Sequence, residues 1–215
     1  VNRMEVRGTL RWFVGLSLVV LAIGFLSGLT HPSTYAHSVE DSLDQLRQLA
    51  QQTGAATLRT LVVIFVHNLL AAALFLFSGV LFGVIPITLL WYNGVLMGYV
   101  CAIGAGKLHV SSAKLFLYAL LPHGLFELSA LVWACGLGVN LGFSGLFSLI
   151  RWLQAAGVES RDDRTVLEVR TLRGTFRQVW RHAPWIVALL LVAAVIESYV
   201  TPEIMQWGIS TGRAA

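Results

Sequence analysis

Five long apolar runs dominate the chain, at about 12–30, 60–84, 86–104, 114–139 and 183–200. Each is near the roughly 20 residues an α-helix needs to cross a bilayer core. The pattern predicts an all-α fold, a polytopic transmembrane helical bundle of five spans, with residues 1–215 forming a single membrane domain. The first run, "WFVGLSLVVLAIGFLSGLT", is longer than the apolar stretch of a secretory leader. No clear small-residue cleavage site follows it, so it reads as a retained anchor. Span two closes on "FGVIPITLLWYNG", where Pro86 begins span three almost without an intervening turn, predicting a tight helical hairpin or a bent continuous element.

Between the runs the pattern changes. In "HPSTYAHSVEDSLDQLRQLAQQTGA", a Pro turn precedes Val39, Leu43, Leu46 and Leu49 at helical spacing, which predicts an amphipathic helix over 38–53 lying on the bundle or on the membrane surface. The segment 143–182 begins with Phe143, Leu146, Phe147, Ile150 and Leu153 on one helical face. It continues in mixed charge and ends in basic and Trp residues beside span five. That reads as an amphipathic stretch at the interface, feeding the last span.

Composition agrees with the pattern and charge orients it. Of the 215 residues, 56% are hydrophobic and only 12% charged, against about a quarter charged in soluble domains. Mean hydropathy is +0.73, which leaves an integral membrane protein as the class. The net charge of +4 does not make nucleic acid a partner, because the basic residues flank apolar spans. Three arginines precede span one (Arg3, Arg7, Arg11) and seven lie in 140–182 (Arg151, Arg161, Arg164, Arg170, Arg173, Arg177, Arg181). The other two loops hold Arg47, Arg59, Lys107 and Lys114. Ten against four predicts a cytoplasmic N-terminus and 143–182 segment, with the 38–53 helix and the C-terminus extracytoplasmic. Cys101 and Cys135 sit inside apolar runs without metal-type spacing and read as small buried hydrophobes.

Polar side chains within the spans are the candidate chemistry. An ionisable group at a helix centre in the bilayer costs about 2.5–3.5 kcal/mol on insertion scales, so each one is a functional candidate. Span two carries His67 and Asn68, span three Asn93, span four His123 and Glu127, and span five ends with Glu197. His123 and Glu127 are four apart, share a helix face, and can pair. Pro122 removes a backbone donor and predicts a kink there, and Gly124 predicts a close backbone approach.

Three further pairs, Gly79 with Gly83, Gly94 with Gly98 and Gly138 with Gly142, have the four-residue spacing that lets helices pack closely. They predict a compact core of spans two, three and four, and a homo-oligomer is compatible with them.

His67, His123, Glu127 and Glu197 are chemically adequate for a divalent ion, but no His-Glu-x-x-His or paired-Cys signature is present. His67 and Glu197 are expected toward the outer end and His123 with Glu127 nearer the middle, so no metal or other cofactor is expected. Ser129 lies two residues from Glu127 and points away from it on a helix. No nucleophile stands beside a base, and no catalytic residue is assigned.

The stretch "LLPHGLFELSALVWACGLGVNLG", residues 120–142, resembles the stage II sporulation protein M family of polytopic membrane proteins. "FVHNLLAAALFLFSGVLFGVIP" (65–86), "LLWYNGVLMGYV" (89–100) and "VIESYVTP" (195–202) resemble other parts of that family in the right order. The shared positions are Asn68, Asn93, Gly94, Pro122, His123, Gly124, Glu127, Glu197 and Pro202. The resemblance implies a five-span protein of the cytoplasmic (inner) membrane. The family's namesake is a scaffold in sporulation engulfment that holds two extracytoplasmic partners, one of them a peptidoglycan hydrolase.

Three functional readings follow. A non-enzymatic scaffold or assembly factor of the cell envelope, with the lipid bilayer and other envelope membrane proteins as partners, is first. A transporter or an ion- or proton-conducting protein, lined by His123, Glu127, Asn68, Asn93 and Glu197, is second. A metal-dependent intramembrane hydrolase is third. Convergence of the polar groups on one cavity would favour transport, and satisfied pairs in a dry interface would favour the scaffold.

Overall fold

In a computed structural model the chain is described over residues 3–40, 58–79, 83–155 and 162–210. Five long helical elements carry it, and no strand occurs among the described residues. Helix α1 is Arg3–Thr30, α2 is Leu58–Ser78 and α3 is Val84–Leu108. Element α4 is a near-continuous run of Ser112–Leu115, a π-helical turn at Phe116–Leu120, and Leu121–Ala155. Element α5 repeats the plan with Asp162–Val195, a π-helical turn at Ile196–Val200, and Thr201–Ser210. All five are long and apolar enough to cross a membrane: Leu10–Thr30, Leu58–Ser78, Val84–Leu108, Ser112–Ile150 and Arg173–Gly208.

The last two apolar elements outrun the sequence estimates for a physical reason. Interface residues such as Phe143 and Phe147 continue the helix of span four, because nothing between 139 and 155 breaks it. Span five similarly passes through both Pro184 and Pro202. The 38–53 helix lies largely outside the described residues, but its start, within the helical stretch 32–40, is visible. There Tyr92 donates a hydrogen bond to the Ser38 carbonyl at 2.7 Å, and Tyr99 donates to Glu40 Oε1 at 3.2 Å. Val39 is fully buried with Val95 and Tyr99, so this stretch is seated on α3.

The hinge between α2 and α3 uses glycine for its backbone freedom. Gly83 has φ of +73°, a left-handed value that only glycine adopts without strain, and its N–H donates to the Gly79 carbonyl at 3.0 Å. Pro86 then falls in the first turn of α3, where a missing N–H costs nothing.

Element α4 is the centre of the bundle. Ala130, Leu131, Ala134, Cys135, Leu137 and Val139 are all buried, against Ala72 and Phe75 of α2, Leu10 and Leu21 of α1 and Ile186 and Leu190 of α5. A helix covered on most sides needs no polar stripe, and this one has none along that stretch. Two crossings bring backbones together. Gly24 and Gly28 of α1 face Trp91 and Val95 of α3, while Gly94 and Gly98 face Leu21 and Phe25 in return. A Cβ at any of these four positions would collide with a backbone carbonyl oxygen. Gly79 and Gly138 make the same kind of approach between α2 and α4. Gly142 is buried.

The close approach expected at Gly124 does not occur. A Cβ there would meet only Leu128 Cδ1 of its own helix, at 3.9 Å.

Candidate functional site

Two local distortions set the site's geometry. In α4 the N–H of Leu121 donates to the Phe116 carbonyl, five residues back, and Pro122 follows. In α5 the N–H of Thr201 donates to the Ile196 carbonyl, again five back, and Pro202 follows. A proline inside a helix lacks a donor and crowds the carbonyl four residues earlier. One wide turn before it moves that carbonyl out of the way, so each helix continues instead of breaking. The expected kink at Pro122 thus takes the form of a π turn, and Pro202, which resembled the end of a span, has a matching one.

These turns bring three ionisable side chains together. His123 follows Pro122, Glu127 is one turn further along α4, and Glu197 stands inside the π turn of α5. One ligand-capable atom from each lies within 4.8 Å of the others. His123 is buried and the two glutamates are partly buried. His123 Nδ1 is hydrogen-bonded to Thr201 Oγ1 at 3.3 Å, a contact wholly inside the bundle. Among the described residues neither carboxylate accepts a hydrogen bond. The expectation that Glu197 lies at a different depth from His123 is therefore corrected. Because α5 runs on through Pro202 to Ser210, Glu197 is an interior position of that helix, level with His123 of the antiparallel α4.

Aromatic packing fixes the same end of the helix pair. Tyr118, in the first π turn, meets Trp207 edge-on with ring centroids 6.0 Å apart, and its ring covers Gly208. Phe116 packs on Phe25 of α1 at 5.4 Å. At the other end of the pair, Asn140 Nδ2 donates to Gln178 Oε1 at 3.0 Å, Ser144 and Thr175 hydroxyls are 3.1 Å apart, and Trp133 lies on the His182 ring at 5.5 Å. Polar contacts thus tie α4 to α5 at both ends, with an apolar stretch between.

The remaining predicted polar residues go elsewhere. Asn68 is buried on the α2 face that also carries Ala72 and Phe75, packed toward α4 and α5. Its neighbour His67 points outward and is exposed. Asn93 donates to the Leu89 carbonyl of its own helix at 3.4 Å, on α3, whose main packing partner is α1. Thr201 was not among the predicted residues, although its spacing of four from Glu197 mirrors that of His123 and Glu127. The Ser198 hydroxyl, inside the second π turn, is buried without a hydrogen-bond partner.

Five apolar helices, one of them central, with a His/Glu/Glu cluster beside two π turns that each precede a proline, define a polytopic membrane protein with a polar cluster inside its bundle. Residues 13–202 match the family model described as "Stage II sporulation protein M", and the chain belongs to that family. No curated protein and no solved structure matches it.

Proposed function

We propose that this protein is a non-enzymatic scaffold or assembly factor of the cell envelope, resident in the cytoplasmic membrane, that holds other envelope proteins in place. The observation that carries this reading is the pair of glycine crossings. Gly24, Gly28, Gly94 and Gly98 lock α1 to α3 backbone to backbone, and Gly79 with Gly138 does so for α2 and α4. At such a crossing the flanking side chains stand against the facing backbone, so sliding along the axis would drive them into it. A stiff platform suits a protein whose task is to position partners. The helical stretch 32–40, seated along α3 against Trp91, Tyr92, Val95 and Tyr99, leads into the polar residues 41–57 between spans one and two, by which a partner can be held.

The test is crosslinking in intact membranes followed by detergent purification. The scaffold reading expects defined envelope proteins in fixed ratio to this chain, lost when the 31–57 segment is replaced by a neutral linker of equal length. A chain that yields only internal crosslinks and purifies alone would overturn it.

Convergence of His123, Glu127 and Glu197 favours a second reading, an ion- or proton-conducting protein. Purified protein in liposomes would then dissipate a proton or cation gradient, and Glu197→Gln would abolish the flux.

A further inference from the structure

We propose that His123, Glu127 and Glu197 bind one divalent first-row transition-metal ion, which clips α4 to α5 inside the membrane. This inference stands independently of the scaffold reading.

The donor set is the first reason. One imidazole nitrogen and two carboxylates, gathered within 4.8 Å from two antiparallel helices, are a nitrogen-and-oxygen set suited to zinc, iron or manganese. At metal–ligand distances of about 2.0–2.2 Å, tetrahedrally arranged donors stand roughly 3.3–3.6 Å apart. Rotation about the glutamate side-chain torsions closes the remaining ångström or so without moving either helix.

Charge is the second reason. Two carboxylates side by side in a low-dielectric interior repel each other, and no basic side chain pairs with either among the described residues. A divalent cation neutralises both at once. A salt-bridging lysine or arginine would do the same, but those of the described segments lie near the ends of the spans.

The third reason is the contact behind His123. A metal-bound histidine commonly uses its other ring nitrogen to donate to an oxygen, which fixes the ring's tautomer and direction. The two atoms stand 3.3 Å apart, and the tautomer with its proton on Nδ1 donates it to Thr201 Oγ1 and keeps the Nε2 lone pair for the ion. Thr201 belongs to the same turn of α5 as Glu197, so one helix supplies both a ligand and the hydrogen bond that orients the ligand of the other. Single π turns inside α-helices are frequent at functional sites, and here one lies beside each half of the cluster.

The experiment uses the full chain, purified without a histidine tag, stripped with a chelator and dialysed against ZnCl2, with MnCl2 in parallel. Elemental analysis is expected to give one ion per chain. At an ion concentration near a hundredfold above Kd, the thermal midpoint should rise by about 5–10 °C. Co2+ in the same site should give visible d–d absorption. Glu197→Gln and Glu127→Gln preserve shape and should each abolish stoichiometric binding, while Thr201→Val should weaken it about 10- to 100-fold. His67→Ala, on the exposed face of α2, should leave it unchanged. Helicity by circular dichroism and a single gel-filtration peak establish that each variant is folded. Binding that survives both glutamine substitutions in folded protein would overturn the proposal. So would the absence of any bound ion or thermal shift with Zn2+ and Mn2+ in the parent chain, which would leave the carboxylates sharing a proton instead.

Discussion

His123 of α4 and Thr201 of α5 are 78 residues apart in the chain and hydrogen-bonded at 3.3 Å in the interior of the bundle. Each stands next to a proline-linked π turn: His123 directly after Pro122, Thr201 directly before Pro202. The two distortions are therefore parts of one arrangement, by which a pair of antiparallel helices presents polar groups to each other.

Their coupling should be measurable in a double-mutant cycle. Thr201→Val leaves the imidazole buried without its partner and should cost about 1–3 kcal/mol. His123→Ala should cost more, because a cavity is added to the lost bond. The double variant should lose less than the sum by about 0.5–1.5 kcal/mol, read from thermal melts in detergent. Strict additivity would show that the two groups do not interact.

Glu127 and Glu197 face one another without an intervening donor. In chelator-treated protein, replacing either with Gln relieves like-charge repulsion and should raise the midpoint by several degrees or leave it unchanged. With Zn2+ present, which the parent chain binds and the variants do not, each variant's midpoint should fall below the parent's. A variant that destabilises equally with and without chelator would indicate that the carboxylate makes a hydrogen bond instead.

The two classes of glycine separate cleanly. Gly138→Ala places a methyl group against the Phe75 carbonyl of α2 and should cost about 1–3 kcal/mol through overpacking, or unfold the protein. Gly124→Ala meets only Leu128 Cδ1 at 3.9 Å and should be neutral or stabilising by up to about 1 kcal/mol, since alanine is the better helix former. Equal losses at the two positions would contradict the packing described.

How much of this was legible in the sequence depended on the distance over which each signal acts. The five spans follow from composition in windows of some twenty residues, and five apolar helices stand at those places, the last two running well past the expected bounds. The glycine spacings announced close packing but not which helices would meet: Gly94 and Gly98 pack on α1, outside the expected group of spans two to four. At the site, the local pair His123 and Glu127 was readable from a spacing of four. Glu197 was a candidate from its place in span five, but its convergence with that pair was not readable and Thr201 was missed, because Pro202 looked like the end of a helix. Only the π turn at Ile196–Val200 carries the helix past it, and a register change of one residue has no signature in hydropathy. The outward direction of His67 was equally hidden, since in a lipid-facing helix polarity no longer separates inside from outside.

The charge balance of the loops predicts the membrane orientation. Seven arginines between 140 and 182 against four basic residues in the two opposite loops predict a cytoplasmic location for the α4–α5 connection. The helix of α5 continues to Ser210, so a reporter at residue 205 would interrupt it; the informative fusion follows residue 215. A phosphatase reporter, active only outside the cytoplasm, should be active there and inactive after residue 160. The reverse pattern would invert the bundle and put the stretch 32–40 on the cytoplasmic side, where an extracytoplasmic partner cannot reach it. Because residues 31–57 connect span one to span two, their side of the membrane is fixed by the same result. The fusion pair therefore tests the orientation and the accessibility of the proposed docking surface together.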